Sequence, residues 1–549
     1  MVGLSRPICL AFGLMLICQF IGCSSSNDAT AQDGASRATV ASAELVDLRK
    51  RKSGSDWPCF LGPSGTGTSP EIGIIAPWRS KGLRLIWQRE LGTGYGMPAV
   101  SLGRLFVFDR HRGEACLSCL HSETGEFIWK FSYPTRYKDY YGYDNGPRSC
   151  PVVDGDRVYI YGAEGMLHCV RAADGQLVWK VDTKSEFGVV QNHFGVGSAP
   201  VIAGDLLLVQ VGGSPPDSGD EPSLSQKGNG SGVVAFDKLT GKVRYRVTDE
   251  LASYASPVLA TIAGRQWCFV FARGGLIGME PASGKVDFHF PWRAKALESV
   301  NAANPVVLGD QVFISETYGP GSALLHVKPG GYDVLWTDAD KRWDKSMQCH
   351  WSTPIYHEGY LYGCSGRHLE NAELRCIELA SGKVKWRQPS LTRTSLLMVD
   401  GHFICLAEDG TLMLLKVNPE RYEEISRLDA QSPVGSRPTA GSRQPIADSR
   451  LKYPCWAAPI IAHGLLYVRD KNKLICLELI PDKGRTMTGV SPSRGLLGGA
   501  GVFLLLLALG GSVAWLRTRH WSRSPVGPAR RAIVAQDSIL IVPLSRLES

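Results

Sequence analysis

The chain has 549 residues, 44% of them hydrophobic and 20% charged, with 61 glycines and 32 prolines, the profile of a folded, turn-rich protein and not of a disordered one. Its net charge of +8 is concentrated at the ends: six Arg against Asp537 and Glu548 leave +4 on residues 517–549, residues 1–53 carry +2, and +2 remains for the body. So neutral a body excludes nucleic acid as a partner, because phosphate binding needs a basic face.

Residues 1–23 read as an export signal: an apolar run from Pro7 to Gly22 follows Arg6 and is too short to span a membrane comfortably. Gly22-Cys23 followed by Ser24-Ser25-Ser26 resembles a bacterial lipobox, with Phe20 in place of the usual Leu, which makes Cys23 a candidate lipidation site. Residues 24–55 read as a linker.

From 56 to 480 the chain repeats. Pro98, Pro151, Pro200, Pro257, Pro305, Pro354 and Pro459 each open a Pro-aliphatic segment, a Gly turn and an apolar strand, at spacings of 53, 49, 57, 48, 49 and 105; the last gap holds a proline-less copy at Leu396–Phe403. A second motif, a Gly-containing turn and then a strand closing on an aromatic residue, ends at Trp129, Trp179, Tyr245, Phe288, Trp336 and Trp386. Each unit is two hairpins, and such a four-stranded sheet buries its faces only by stacking on neighbours. The eighth unit stops after its third strand near Leu479, while Leu83–Arg89 carries a fourth-strand signature with no strands before it. The reading is an all-β, eight-bladed β-propeller closed by an N-terminal strand, with the repeated tryptophans packed between blades.

Cys119, Cys169, Cys376 and Cys476 fall at one register of the repeat and are expected to pack inward as small hydrophobes. Cys116 and Cys119 form a lone CxxC without a second half-site, a weak zinc signal. Asp429–Lys452, rich in Ser, Pro and Arg, reads as a surface excursion, and 481–494 as a linker. Residues 495–516 form 22 uncharged positions, long enough to cross a membrane. The arginines of 517–549 follow, which predicts a single-pass cell-membrane protein with a cytoplasmic basic tail and its propeller on the periplasmic or extracytoplasmic side.

The turn-and-tryptophan repeats resemble the pyrroloquinoline-quinone (PQQ)-like repeat family over roughly Trp57 to Leu479. The start Asp56-Trp57-Pro58-Cys59-Phe60-Leu61-Gly62-Pro63 is similar to that of bacterial PQQ-binding-like propellers. The resemblance implies one of two functions: a PQQ- and calcium-dependent dehydrogenase of alcohols or sugars, or a cofactor-free scaffold like the propeller lipoprotein of the outer-membrane β-barrel assembly machine. The dehydrogenases carry a vicinal disulfide, and the haem-containing ones a CxxCH site; neither sequence occurs here. The preferred expectation is therefore a membrane-held binding or scaffold protein with no catalytic residues, metal or cofactor.

In a propeller the loops entering each first strand gather at one mouth of the channel, where a protein or small-molecule ligand would bind. The residues before the repeated prolines are unusually polar and aromatic: Tyr95; Asp144, Asn145 and Arg148; Asn192 and His193; Tyr254; Asn301 and Asn304; His350 and Trp351; Arg393; and Trp456. Such a ring suits a planar carboxylate or a peptide segment. Asp144 is the best candidate for a base or calcium ligand if the chain is an enzyme.

Overall fold

The computed structural model describes residues 45–79, 82–219, 222–430, 435–436 and 450–482. All belong to one compact unit, residues 1–485. Eight antiparallel sheets follow one another along it. Blade one is built from Ala99–Ser101, Arg104–His111, Glu114–His121 and Phe127–Pro134, and blade two from Val152–Asp154, Arg157–Tyr161, Met166–Arg171 and Leu177–Asp182. The plan repeats through blade seven, whose first strand is Thr394–Val399. Blade eight takes Ile460–Ala462, Leu465–Arg469 and Lys473–Glu478 from the end of the unit and Leu83–Glu90 from its beginning, with Leu85 opposite Leu477 and Trp87 opposite Cys476. The chain is thus an eight-bladed β-propeller closed as its sequence predicts.

The two middle strands of each blade are covered on both faces by neighbouring blades, so they read as continuous apolar runs. Val158–Tyr161 and Leu167–Val170 are buried throughout. The fourth strand lies at the rim, and in Leu177–Asp182 only Trp179 is buried. In all eight blades the pairing of the third and fourth strands shifts by one residue. Such a bulge re-aims the side chain beside it. Here it turns the aromatic residue onto the next blade: Trp87 Nε1 donates to the Ser122 carbonyl at 2.8 Å, Trp129 to Ala172 at 3.1 Å, Trp179 to Lys238 at 3.1 Å, Trp336 to Leu379 at 2.9 Å and Trp386 to Asn418 at 2.9 Å. Beneath the ring sits the turn glycine of that next blade. Gly175 has φ of 74°, and a Cβ there would stand 2.5 Å from Cε3 of Trp129. Backbone handedness and ring contact both demand glycine at this position.

Cys119, Cys169, Cys376 and Cys476 are fully buried, and all twelve described cysteines are free thiols. Residues 45–75 run beneath the end opposite the entry loops, against the turns between first and second strands. The Leu48 amide donates to the Leu102 carbonyl at 3.1 Å, the Gly73 amide to Asp400 at 2.8 Å and the His463 amide to Glu71 at 2.9 Å. Thr68–Ser69 adds a short parallel strand to blade seven.

The expected single-pass membrane topology requires correction. Among the described residues no helix is long and apolar enough to cross a membrane, and the one helix, Thr183–Phe187, has five residues. A transmembrane helix is accordingly no part of the fold as described. The segments behind that expectation, 495–516 and 517–549, and the signal and lipidation readings on 1–23 lie outside the described residues.

Candidate functional site

The entry loops meet at one end of the channel, joined there by the turns between second and third strands. Arg393, entering blade seven, makes a two-pronged pair with Glu408, Nε to Oε1 at 2.8 Å and Nη2 to Oε2 at 2.6 Å. Glu408 is fully buried and also accepts from Trp456 Nε1 at 2.8 Å. The Arg393 guanidinium lies 4.6 Å from the ring centre of Trp351 and 5.6 Å from that of Trp456, and these two rings touch at 5.4 Å between centroids. A carboxylate that fixes an arginine, which in turn covers two indoles, is a rigid unit in which charge and ring faces satisfy one another.

From Trp456 the contacts continue to Tyr95, 4.6 Å away, and to Tyr143 at 6.1 Å. Arg148 lies 5.6 Å from both the Tyr95 and the Phe194 rings and pairs with buried Asp139 at 3.0 Å. Phe194 packs on Tyr254 at 5.6 Å, and its amide donates to the Tyr254 hydroxyl at 2.8 Å. Tyr141 stacks on His193 at 5.7 Å. On the far side His350 packs on Trp351 at 4.9 Å, with its Nε2 3.2 Å from the Tyr318 hydroxyl. Burial and the charges of Arg393 and Arg367 hold the His350 imidazole down at about 3, so it is neutral at neutral pH.

Nine predicted residues therefore share one network: Tyr95, Arg148, His193, Tyr254, His350, Trp351, Arg393, Trp456 and, through Lys471 at 3.1 Å, Asp144. That lysine also donates to the Tyr143 carbonyl at 3.2 Å. The four asparagines are tied into backbone. Asn145 Oδ1 accepts from the Asp139 amide, Asn192 donates to the Ala252 carbonyl, Asn301 donates to the Ala272 and Trp292 carbonyls, and Asn304 accepts from the Ser256 amide. Asp144 accepts from the Gly146 amide as a turn aspartate does. The CxxC pair is buried in blade one, and the described residues contain no cluster of His, Cys, Asp and Glu fit for a metal.

Several contributors escaped the sequence reading, Asp139 and Lys471 among them. Glu408 sits in Ala407-Glu408-Asp409-Gly410, which looks like any polar hairpin turn, and the same holds for Tyr318 and Arg367. Tyr140 and Tyr141, both exposed at the mouth, stand in a Tyr-Tyr-Gly-Tyr run whose aromatic density is a legible signal.

The family model described as outer membrane protein assembly factor BamB matches residues 117–388. The dehydrogenase subunit of the quinone alcohol dehydrogenase of Komagataeibacter europaeus is 28% identical over 169 residues, 30% of this chain and 21% of that protein. BamB of Shewanella oneidensis is 25% identical over 264 residues, 46% of this chain and 60% of that protein. The matched segments thus span about a fifth and three fifths of these relatives. Among solved structures, quinohemoprotein alcohol dehydrogenase from Comamonas testosteroni superposes with a TM-score of 0.51 at 12% identity, over 80% of this chain and 83% of that one, a likeness of fold. The chain is thus an eight-bladed β-propeller whose repeats resemble the PQQ-like family, similar in sequence both to BamB and to a quinone alcohol dehydrogenase subunit.

Proposed function

We propose that the chain is an exported, non-catalytic binding or scaffold propeller whose aromatic and arginine-lined mouth receives a protein segment or a small ligand. The observation that carries this reading is the commitment of the mouth's acids. Both Glu408 oxygens are bonded to Arg393, and one also to Trp456; Asp139 is bonded to Arg148 and to the Tyr143 amide; Asp144 is bonded to the Gly146 amide and lies beside Lys471. Calcium takes six to eight oxygen ligands, and a general base needs a lone pair free to meet substrate. Glu408 and Asp139 meet neither requirement, while Asp144 keeps its buried Oδ2 without a hydrogen bond beside Lys471, too little by itself for a calcium site. A stacked quinone needs open ring faces, yet Trp351 and Trp456 touch each other and lie beside Arg393. The residues present do not fit calcium or a stacked quinone. What the mouth offers is exposed tyrosine, with Tyr140, Tyr141, Tyr143 and Tyr453 all about half exposed, the residue type that supplies large contact area with one polar end at interfaces.

The second reading, a PQQ- and calcium-dependent dehydrogenase, is favoured by the 28% identity to the quinone alcohol dehydrogenase subunit. Titrating the purified protein with PQQ and calcium, while following quinone absorbance and dye reduction by alcohols and sugars, separates the two. The expected outcome is neither saturable binding nor turnover; saturable binding with turnover overturns the proposal.

A further inference from the structure

Beside the aromatic mouth, between the loops of blades two to four, lies a cavity of about 250 Å³. Its charged lining is Arg136, Lys184 and Arg273 against one acid, Glu164. Glu164 is already engaged, accepting from the Tyr133 hydroxyl at 2.7 Å and the Thr135 hydroxyl at 2.9 Å.

Arg273 is the unusual member. It is 4% exposed, and its one side-chain bond is long, Nη1 to Gln226 Oε1 at 3.4 Å, while Nη2 is buried without a partner. Among the described residues it forms no ion pair. Other guanidiniums near the mouth are matched, Arg393 by Glu408, Arg148 by Asp139, and Arg469 by the Gly94, Gly96, Asp470 and Lys471 carbonyls, with half-buried Arg293 the exception. Arg273's surroundings deepen the mismatch. Arg293 Nε and His193 Nδ1 are also buried without partners, and burial plus the like charge of Arg293 pushes Arg273 down to about 10. Burying a charge without an opposite charge or full hydrogen bonding is costly, and a buried donor left unmade calls for a partner.

An anion would supply both the absent hydrogen bond and the absent opposite charge. A guanidinium edge matches the two coplanar oxygens of a carboxylate, and Val189, Val196, Val211 and Leu251 give the cavity apolar wall for a short carbon body. The volume lies just under the roughly 300–1,000 Å³ of drug-sized pockets, which sets the ligand as small. We propose that this cavity binds a small carboxylate anchored by Arg273, with Gln226 orienting the guanidinium and Arg136 and Lys184 adding charge at its edge. The site lies apart from the Trp351–Trp456 centre and does not rest on the function proposed for it.

The test titrates the full chain with acetate, succinate and inorganic phosphate at fixed ionic strength against chloride, by calorimetry and thermal unfolding. Wild type should show saturable binding and a rise in Tm with acetate or succinate. R273M should raise the Tm of the ligand-free protein, because an uncompensated buried charge is replaced by an apolar chain of similar length, and should abolish the carboxylate response. R273Q should weaken binding by at least about tenfold and R136Q, at an exposed position, by about threefold, scaled from charge-assisted hydrogen bonds and screened surface charge. These two carry the test if R273M does not fold. The proposal is overturned by a wild type that responds to carboxylates no more than to chloride, by preference for phosphate, by a lower ligand-free Tm in R273M with the response intact, or by unchanged affinity in both R273Q and R136Q.

Discussion

The rim and the mouth of the propeller use the same residue types to opposite ends. At the rim, Trp87, Trp129, Trp179, Trp336 and Trp386 each repeat one contact, an indole N–H on the next blade's carbonyl. At the mouth, Trp351 and Trp456 occur once each, on different partners, with Arg393 and Glu408 locking them together. Repetition, here in five of the eight blades, marks a contact that serves stacking; departure from it marks what only one end of one channel needs. The comparison breaks first at the rim. Trp129→Ala removes a buried ring and its hydrogen bond, and should lower unfolding free energy by about 3–5 kcal/mol in a denaturant titration. A loss under about 1 kcal/mol would mean the blades do not depend on these contacts.

The next test separates backbone handedness from packing within one blade. Gly175 and Gly155 both have positive φ, 74° and 58°, but a Cβ on Gly175 meets Trp129 while one on Gly155 meets nothing within 4 Å. Gly155→Ala should cost about 1 kcal/mol for the left-handed conformation alone. Gly175→Ala should cost about 2–3 kcal/mol, because the ring must also shift. Equal losses would remove the ring contact from the explanation of the repeat.

The same contrast explains what the sequence disclosed. A blade recurs, so its Pro, Gly and Trp positions are visible by self-comparison, and the orphan strand at Leu83–Glu90 could be assigned to Lys473–Glu478 because it carried only the fourth part of the motif. The bulge beside each tryptophan could not be read, since it inserts no characteristic residue: Val178 and Ile128 look like any strand position. At the mouth, the entry loops were legible from their place before the prolines, and Arg393, Trp351 and Trp456 were found that way. Glu408 was not, because a carboxylate in a turn is ordinary until three-dimensional structure places an arginine and an indole on it. Arg273 and its cavity were invisible for the converse reason, that lack of a partner is a property of space and not of sequence.

The smallest expected effect per step is a pH slope, and at the mouth it is carried by His350. His350 is held near 3 by burial and by Arg393, Arg367 and His368, and its one bond is to Tyr318. An unfolded histidine takes up its proton near 6.5, so between these values the unfolded state holds a proton that the folded state refuses. Stability from this group is complete above about 6.5 and is lost as pH falls, at up to about 1.4 kcal/mol per pH unit. His168, held near 4 by burial and Lys180, and His193, lowered by burial beside Arg273 and Arg293, act in the same direction. His463, raised by its Asp56 partner, acts in the opposite sense, its contribution present at low pH and lost on the way up. Above the ordinary carboxylate range the paired acids are silent, so the window is from pH 6.5 down to about 5. Unfolding free energy measured across it should fall less steeply in H350Q than in wild type, by the share of a single proton. Parallel curves would mean that water reaches His350 and protonates it in the folded state, and the mouth would then be open where Trp351 and Tyr318 now cover it.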